Sequence, residues 1–376
     1  MKFLRSLVLM LIFVAFVAGA TYVAMYRLDN LGLFDREPVA EEVVEVEPEP
    51  PGPYPFIIPT NGRDITPATF EFSFLGQDVS LQAEVDPRIY HGAVMAPRGF
   101  MLANDASDAQ RLAAMQDYYN KLTFDPEMDD AIISVVTQLR AVRDELNLDG
   151  DQYAELMTKF VQTIPYDENR GYVDHESKAL GDPRMPVQVL VDGLADCDEK
   201  VMLLAALLSH EGYATAAFLY EQEQHMALAL ASEGEGFAGT GYVFIETTGV
   251  SYVSEVPTEF IGGISLQSDP VLLIFDPFEA GKTRGTGSFS DAAAAQVARI
   301  VSVRNAAEAA ADEKRAYIEE TPMSDEDFAR EEALFNATIS AMNTLRATVD
   351  NLGYDTGEFK DRAEAINWID NNAWWE

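Results

Sequence analysis

Apolar residues recur along this chain with two different periods, and the places where the period changes mark out its elements. Between Thr69 and Val85 the period is two on both sides of Gly76, which predicts a β-hairpin with Phe70, Phe72 and Phe74 on one packing face. From Asp105 the period becomes helical. Asp105–Leu122 is one expected helix; Ile132, Val135, Val136, Leu139, Val142 and Leu146 mark a second. Tyr153, Leu156, Phe160 and Ile164 mark a third, with Asp149 as its cap. The polar run from Asp167 to Arg184 reads as a loop, and Pro186 opens a short helix ending at Asp192 and Gly193. Val201, Leu204, Leu207 and Leu208 then define a buried helix that starts after Asp196 and stops at Gly212. The segments around His225 and Glu246 read as strands, and Val271–Phe275 as one more. Beyond Gly287 the pattern is helical again. An alanine-rich helix spans Asp291–Glu319, a second follows a Ser324 and Asp327 cap, and a short third lies near Glu358–Ile369. This reads as an antiparallel helical hairpin plus a tail.

The first residues are of another kind. Ser6–Tyr26 carries no charge and follows Lys2 and Arg5. Such a run is long enough to span a hydrocarbon core of roughly 30 Å, and the leading positive residues predict an inside N-terminus with the bulk of the protein outside. Ala18-Gly19-Ala20 has the small residues of a signal-peptide cleavage site, so a secreted form is the competing reading. Between Glu37 and Pro59 glutamate, valine and proline dominate, and the prolines forbid a helix or an inner strand; this reads as an acidic stalk. The organisation expected is an anchor at 1–27, a stalk at 28–59, a domain with the hairpin and helices at 60–285, and a helical region at 286–376.

A net charge of −37 excludes nucleic acid as a natural partner and opposes contact with anionic membrane. Such a surface suits a salty medium, where repulsion is screened, as in halophilic proteins; an acidic site for cationic partners is the sharper alternative.

Cys197 is the single cysteine of the chain, so no intramolecular disulfide exists, and a lone thiol outside the cell is a candidate reactive group. It falls in the first turn of the buried helix, where unpaired N–H groups and the helix dipole favour a thiolate. Asp196 is expected to be occupied as the cap, and Asp198 and Glu199 to point away. His225 follows on one strand and Glu246 on the next; a thiol nucleophile needs a base, and the base needs a group to fix its tautomer and orientation. The remaining histidines have ordinary expectations, His210 at a helix end and His91 and His175 in loops. No histidine pair has metal-ligand spacing, and no cofactor or metal is expected.

The segment Asp196-Cys197-Asp198-Glu199, the Leu-Leu-Ala-Ala-Leu-Leu run after it, and Glu211-Gly212-Tyr213 resemble the nucleophile segment of the transglutaminase-like superfamily. His225-Met226-Ala227, Glu246-Thr247-Thr248 and the turn Glu255-Val256-Pro257 extend the resemblance to a membrane-anchored branch found in archaea, over roughly Pro165–Pro257. The resemblance implies an α+β, papain-like core in which the nucleophile helix packs on an antiparallel sheet. It implies Cys197 as nucleophile, His225 as base and Glu246 as orienter. The Asp167–Arg184 loop would lie beside the site, making Tyr166 and Tyr172 candidate substrate contacts.

The expectation is a single-pass cell-surface cysteine enzyme acting on a protein or peptide substrate by acyl transfer, a peptidase or amidase rather than a cross-linker. A non-catalytic extracellular module that keeps the fold, binding protein partners through the C-terminal helices, is the alternative. Asn336-Ala337-Thr338 is a glycosylation sequon, but it falls within an expected helix, which argues against its use.

Overall fold

The hairpin expected around Gly76 forms from β1 (Thr69–Phe74) and β2 (Gln77–Gln82), paired antiparallel. Alternation buries Phe70, Phe72 and Phe74, and the first two rings meet Phe160 at 5.2 and 6.1 Å, so the aromatic face is a packing face. The computed structural model describes residues 56–98, 105–168, 183–258, 260–277, 285–350 and 361–372. The run Ser6–Tyr26, most of the expected stalk, Tyr172, His175 and the terminal Trp374–Trp375 pair lie outside the described residues. Among the described residues no helix is long and apolar enough to cross a membrane. Ile57 is buried, and its N–H donates to Asp125 Oδ2 at 2.8 Å, so the folded part begins ahead of the expected boundary at residue 60.

One helix was not signalled by the sequence. α1 (Pro87–Met95) starts with proline in its first turn and an Asp86 cap, and it buries only Gly92 and Ala93. Two small residues leave no apolar stripe to read. His91, expected in a loop, lies on this helix, its Nε2 2.7 Å from the Arg63 carbonyl. The next three helices match expectation: α2 (Asp108–Phe124), α3 (Asp129–Leu146) and α4 (Gly150–Thr163). Ser107 with Gln110, and Asp149 with Gln152, form reciprocal capping boxes that fix where α2 and α4 begin. α5 (Pro186–Asp192) ends at Gly193, whose φ of 70° turns the chain toward the nucleophile segment.

α6 (Cys197–His210) begins with the expected Asp196 cap, closed by Glu199 in a capping box. Every residue from Glu199 to Leu208 is buried. α2, α3, α4 and α5 pack against it, as do β3 (Thr215–Tyr220) and β4 (His225–Ala231). With β5 (Tyr242–Ile245) and β6 (Val271–Ile274) these make one sheet of order β5-β4-β3-β6 in which every neighbouring pair is antiparallel. β3 escaped the sequence pattern because all six of its residues are buried, which erases the alternation. Its outer face is covered by Phe218, Phe237, Phe244 and Phe260, a second aromatic layer away from α6. The chain is thus a mixed α+β protein with antiparallel sheets and one central helix.

The C-terminal helices α7 (Asp291–Glu320), α8 (Asp325–Asp350) and α9 (Arg362–Asn372) form the expected hairpin and tail, and they dock on the rest. Val297, Ile300, Val303, Leu345, Ala365 and Ile369 belong to the same core as α6. Arg304 pairs with Glu255, and Arg362 pairs with the fully buried Glu155 of α4. On α8 the sequon threonine Thr338 is buried, its hydroxyl donating to the Leu334 carbonyl at 3.0 Å, so the sequon is part of a regular packed helix.

The Arg362–Glu155 pair is inside the protein, so breaking it leaves a buried charge behind. Arg362→Met is expected to lower unfolding stability by roughly 3–5 kcal/mol, and the double variant with Glu155→Leu to recover most of that loss. Denaturant titration of both proteins checks this.

Candidate active site

The antiparallel register brings His225 and Glu246 together. Leu228 lies opposite Ile245, so continuing the ladder sets Glu246, just past the end of β5, on the same face as His225 and one step diagonal to it. His225 Nε2 is 2.9 Å from Glu246 Oε2. The other carboxylate oxygen accepts from the Thr248 N–H at 2.7 Å and from the Thr248 hydroxyl. Burial alone would raise the Glu246 carboxyl, but His225 and Thr248 outweigh it and hold the group below the usual carboxylate range. An anionic Glu246 accepts the Nε2 proton, which leaves Nδ1 of a neutral His225 as its basic nitrogen. Phe260 covers the imidazole, the ring centres 4.9 Å apart.

Cys197 is close enough for the Glu246 charge to act on its sulfur. The half-buried thiol sits at the first position of α6, and the backbone N–H of Met226, the neighbour of His225, donates toward its sulfur. The Cys197 N–H is one of the four at a helix start that have no intrahelical acceptor. Tyr166 is drawn in by the backbone. The Ala195 N–H donates to the Pro165 carbonyl at 3.1 Å and the Asp167 N–H to the Ala195 carbonyl at 3.0 Å, a bridge that lays Tyr166 alongside the residues leading into Cys197. Burial, then the proximity of Cys197, Asp196 and Asp198, raises the Tyr166 phenol, which stays protonated. Of the two tyrosines expected near the site, Tyr166 is there and Tyr172 lies outside the described residues.

The expected thiolate is not what the surroundings favour. Burial pushes the Cys197 thiol well up, and Asp198 and Asp196 push it further; the Met226 N–H opposes them and is outweighed. Asp198 does not point away: it is the strongest charge acting on the sulfur, and the Tyr119 hydroxyl lies 3.5 Å from its Oδ2. Glu199 is turned aside, buried against Arg184, which also holds Asp167 and Asp192 at 2.9 Å each. Asp196 and Asp198 hydrogen-bond to one another; burial and then the Asp198 charge raise the Asp196 carboxyl to about 9, while burial and Glu199 raise Asp198 against the hydrogen bond from Asp196. Asp196 therefore carries a proton at neutral pH and donates it to Asp198. At rest the Cys197 side chain is a neutral thiol.

No protein-family model, curated protein or solved structure matches this chain.

Three groups at the site were missed in the sequence: Asp198 as a neighbour of the thiol, Tyr119 beneath it, and Lys200 one turn along α6. For Lys200 a signal existed. A lysine inside a helix that is apolar all round has no solvent face to reach. Among the described residues no cluster of His, Cys, Asp and Glu is arranged to hold a metal ion.

Two outcomes follow from the carboxyl pair. Asp198→Asn removes the nearest charge and should shift the pH midpoint of Cys197 alkylation by iodoacetamide downward, so that labelling at pH 7 is faster than in the native chain. The raised Asp196 carboxyl makes its stabilising contribution in full below the unfolded-state value of 3.8, and that contribution is lost as pH rises through about 9. The Asn variant should flatten this part of the stability profile, read by thermal melts between pH 5 and 9.

Proposed function

We propose that this chain is a cysteine acyl-transfer enzyme with a transglutaminase-like core, hydrolysing peptide or amide bonds through Cys197, His225 and Glu246. One observation carries the reading. The same two-residue step of β4 that sets His225 against Glu246 also sets the Met226 N–H against the Cys197 sulfur. These two contacts support a nucleophile, a base and an anion that fixes the base's tautomer, supplied by a helix start and two strand ends.

A neutral resting thiol calls for general-base catalysis rather than a preformed ion pair. As the sulfur attacks the substrate carbonyl, its proton passes to His225 Nδ1, and the new imidazolium is stabilised by Glu246. The Cys197 N–H donates to the oxyanion. Collapse breaks the C–N bond, and the proton on Nδ1 goes to the leaving amine, leaving a thioester on Cys197. Water, deprotonated by the same nitrogen, then attacks the thioester; the acid departs and the thiol is regenerated. Tyr166 lines the approach to the sulfur and is the residue we assign to substrate contact. The loop it opens is pinned at both ends, Asp167 and Arg184 being paired with each other.

The uncharged run Ser6–Tyr26 and the acidic, proline-rich stretch after it support an anchored protein with its catalytic part on the outer surface. The C-terminal helices, packed on the core, support a scaffolding part for them: Arg304 of α7 holds Glu255 in the segment that follows Glu246.

The test is acylation of the full-length chain by an activated ester such as p-nitrophenyl acetate. A burst of about one p-nitrophenolate per chain, with an acetyl group located on Cys197 by mass spectrometry, is expected. Cys197→Ala should abolish the burst, and His225→Ala should slow it by about 10²–10⁴-fold. A native chain that shows no burst at any pH would leave only a binding or structural role for the fold.

A further inference from the structure

Lys200 is one turn after Cys197 on α6 and its side chain is wholly buried. A buried ammonium is costly unless something compensates it. Its Nζ donates to two backbone carbonyls, Thr247 at 3.2 Å and Gln162 at 3.4 Å. Among the described residues no carboxylate is within ion-pair distance of it. Thr247 directly follows Glu246. Gln162, from α4, completes the same clasp: its Nε2 donates to the Glu246 carbonyl at 2.8 Å and to the Ser251 carbonyl at 3.1 Å. The segment that carries the triad carboxylate is therefore held from behind by one cation and one amide. Of the charges around Lys200, Glu246 is the one that acts on it; α4 meets it with Gln162 and the chain after β5 with Thr247, neither of them ionisable.

We propose that Lys200 is a positioning residue of the triad: its buried ammonium clasps the Thr247 carbonyl and so sets the Glu246 carboxylate against His225. The inference rests on the catalytic reading above and adds to it a control point. Burial lowers the Lys200 ammonium to about 8, with Glu246 opposing the shift, so the cation is present at neutral pH and is lost on mild alkalinisation. Loss of that proton removes both the charge and a donor from the clasp, and the His225–Glu246 pair must respond.

The test is a pH titration of the full-length chain labelled with ¹⁵N-lysine and ring-¹³C-histidine, followed by NMR between pH 6 and 10. With eight lysines and four histidines in the chain, Lys200 Nζ and the His225 ring are assignable from Lys200→Met and His225→Gln spectra. The expected result is a step in the His225 ring resonance that coincides with deprotonation of Lys200, near pH 8. In Lys200→Met that step should vanish, while the ester acylation rate falls and no longer declines across the same interval. A Lys200 titration that leaves the native His225 ring unmoved overturns the inference; if the methionine variant does not fold, Lys200→Arg supplies the assignment. The two readings fail differently: a chain with no acylation burst refutes catalysis, whereas a His225 ring indifferent to Lys200 refutes only the clasp.

Discussion

A helix that is apolar on every side cannot rest on a surface; it has to be enclosed, and the enclosure of α6 is what the rest of this protein depends on. Val201, Met202, Leu203, Leu204, Leu207 and Leu208 point in all directions around its axis and are all fully buried. Fully burying each such side chain contributes about 1.5–3 kcal/mol, so this one helix supplies a large part of the drive to fold. Four helices close one side and the sheet closes the other. The two ends escape enclosure: Ser209 and His210 at one, and at the other Asp196, Cys197 and Asp198, which remain half-buried while Glu199 and Lys200 do not. The packing that buries the helix thereby exposes its start, at the point where β4 and the end of β5 arrive.

The same enclosure sets the electrostatics of the candidate site. Polar groups carried into the core on α6 must find partners there. Glu199 finds Arg184, which also pairs with Asp167. Lys200 finds the carbonyls behind Glu246. At the open end, Asp196 serves as cap and Asp198 follows it too closely for both to ionise. A helix start is electropositive, yet burial and two carboxyls overcome it at the Cys197 sulfur. The outcome is a neutral thiol at Cys197 instead of a thiolate.

Much of this was legible in the sequence, and the failures have physical causes. The helices around Val135, Phe160 and Leu204 stood out because each buries a stripe or more; Asp149 and Asp196 marked the starts of the last two, as Ser324 did for α8. β3 was invisible because residues buried on both faces do not alternate. α1 was invisible because it buries little beyond Gly92 and Ala93. Cys197, His225 and Glu246 were singled out by a helix start, by strand contexts and by the family resemblance, and of these the contact between His225 and Glu246 is seen. The orientation of Asp198 was not, because the helix period gives the angle of a side chain but not the approach of a strand end to the first turn. Nor was the clasp on Glu246, which joins α4, α6 and the chain after β5 through contacts between residues 38 and 89 positions apart.

The central claim is that Cys197, His225 and Glu246 act as one unit, and a double-mutant cycle on the acylation rate of Cys197 tests it most directly. His225→Ala, Glu246→Ala and the double variant would be compared with the native chain under identical conditions. If Glu246 acts through His225, removing it should slow the native protein but add nothing once His225 is gone, so the double variant matches His225→Ala. Losses that simply multiply would show that the carboxylate and the imidazole serve the thiol independently, and would contradict the account.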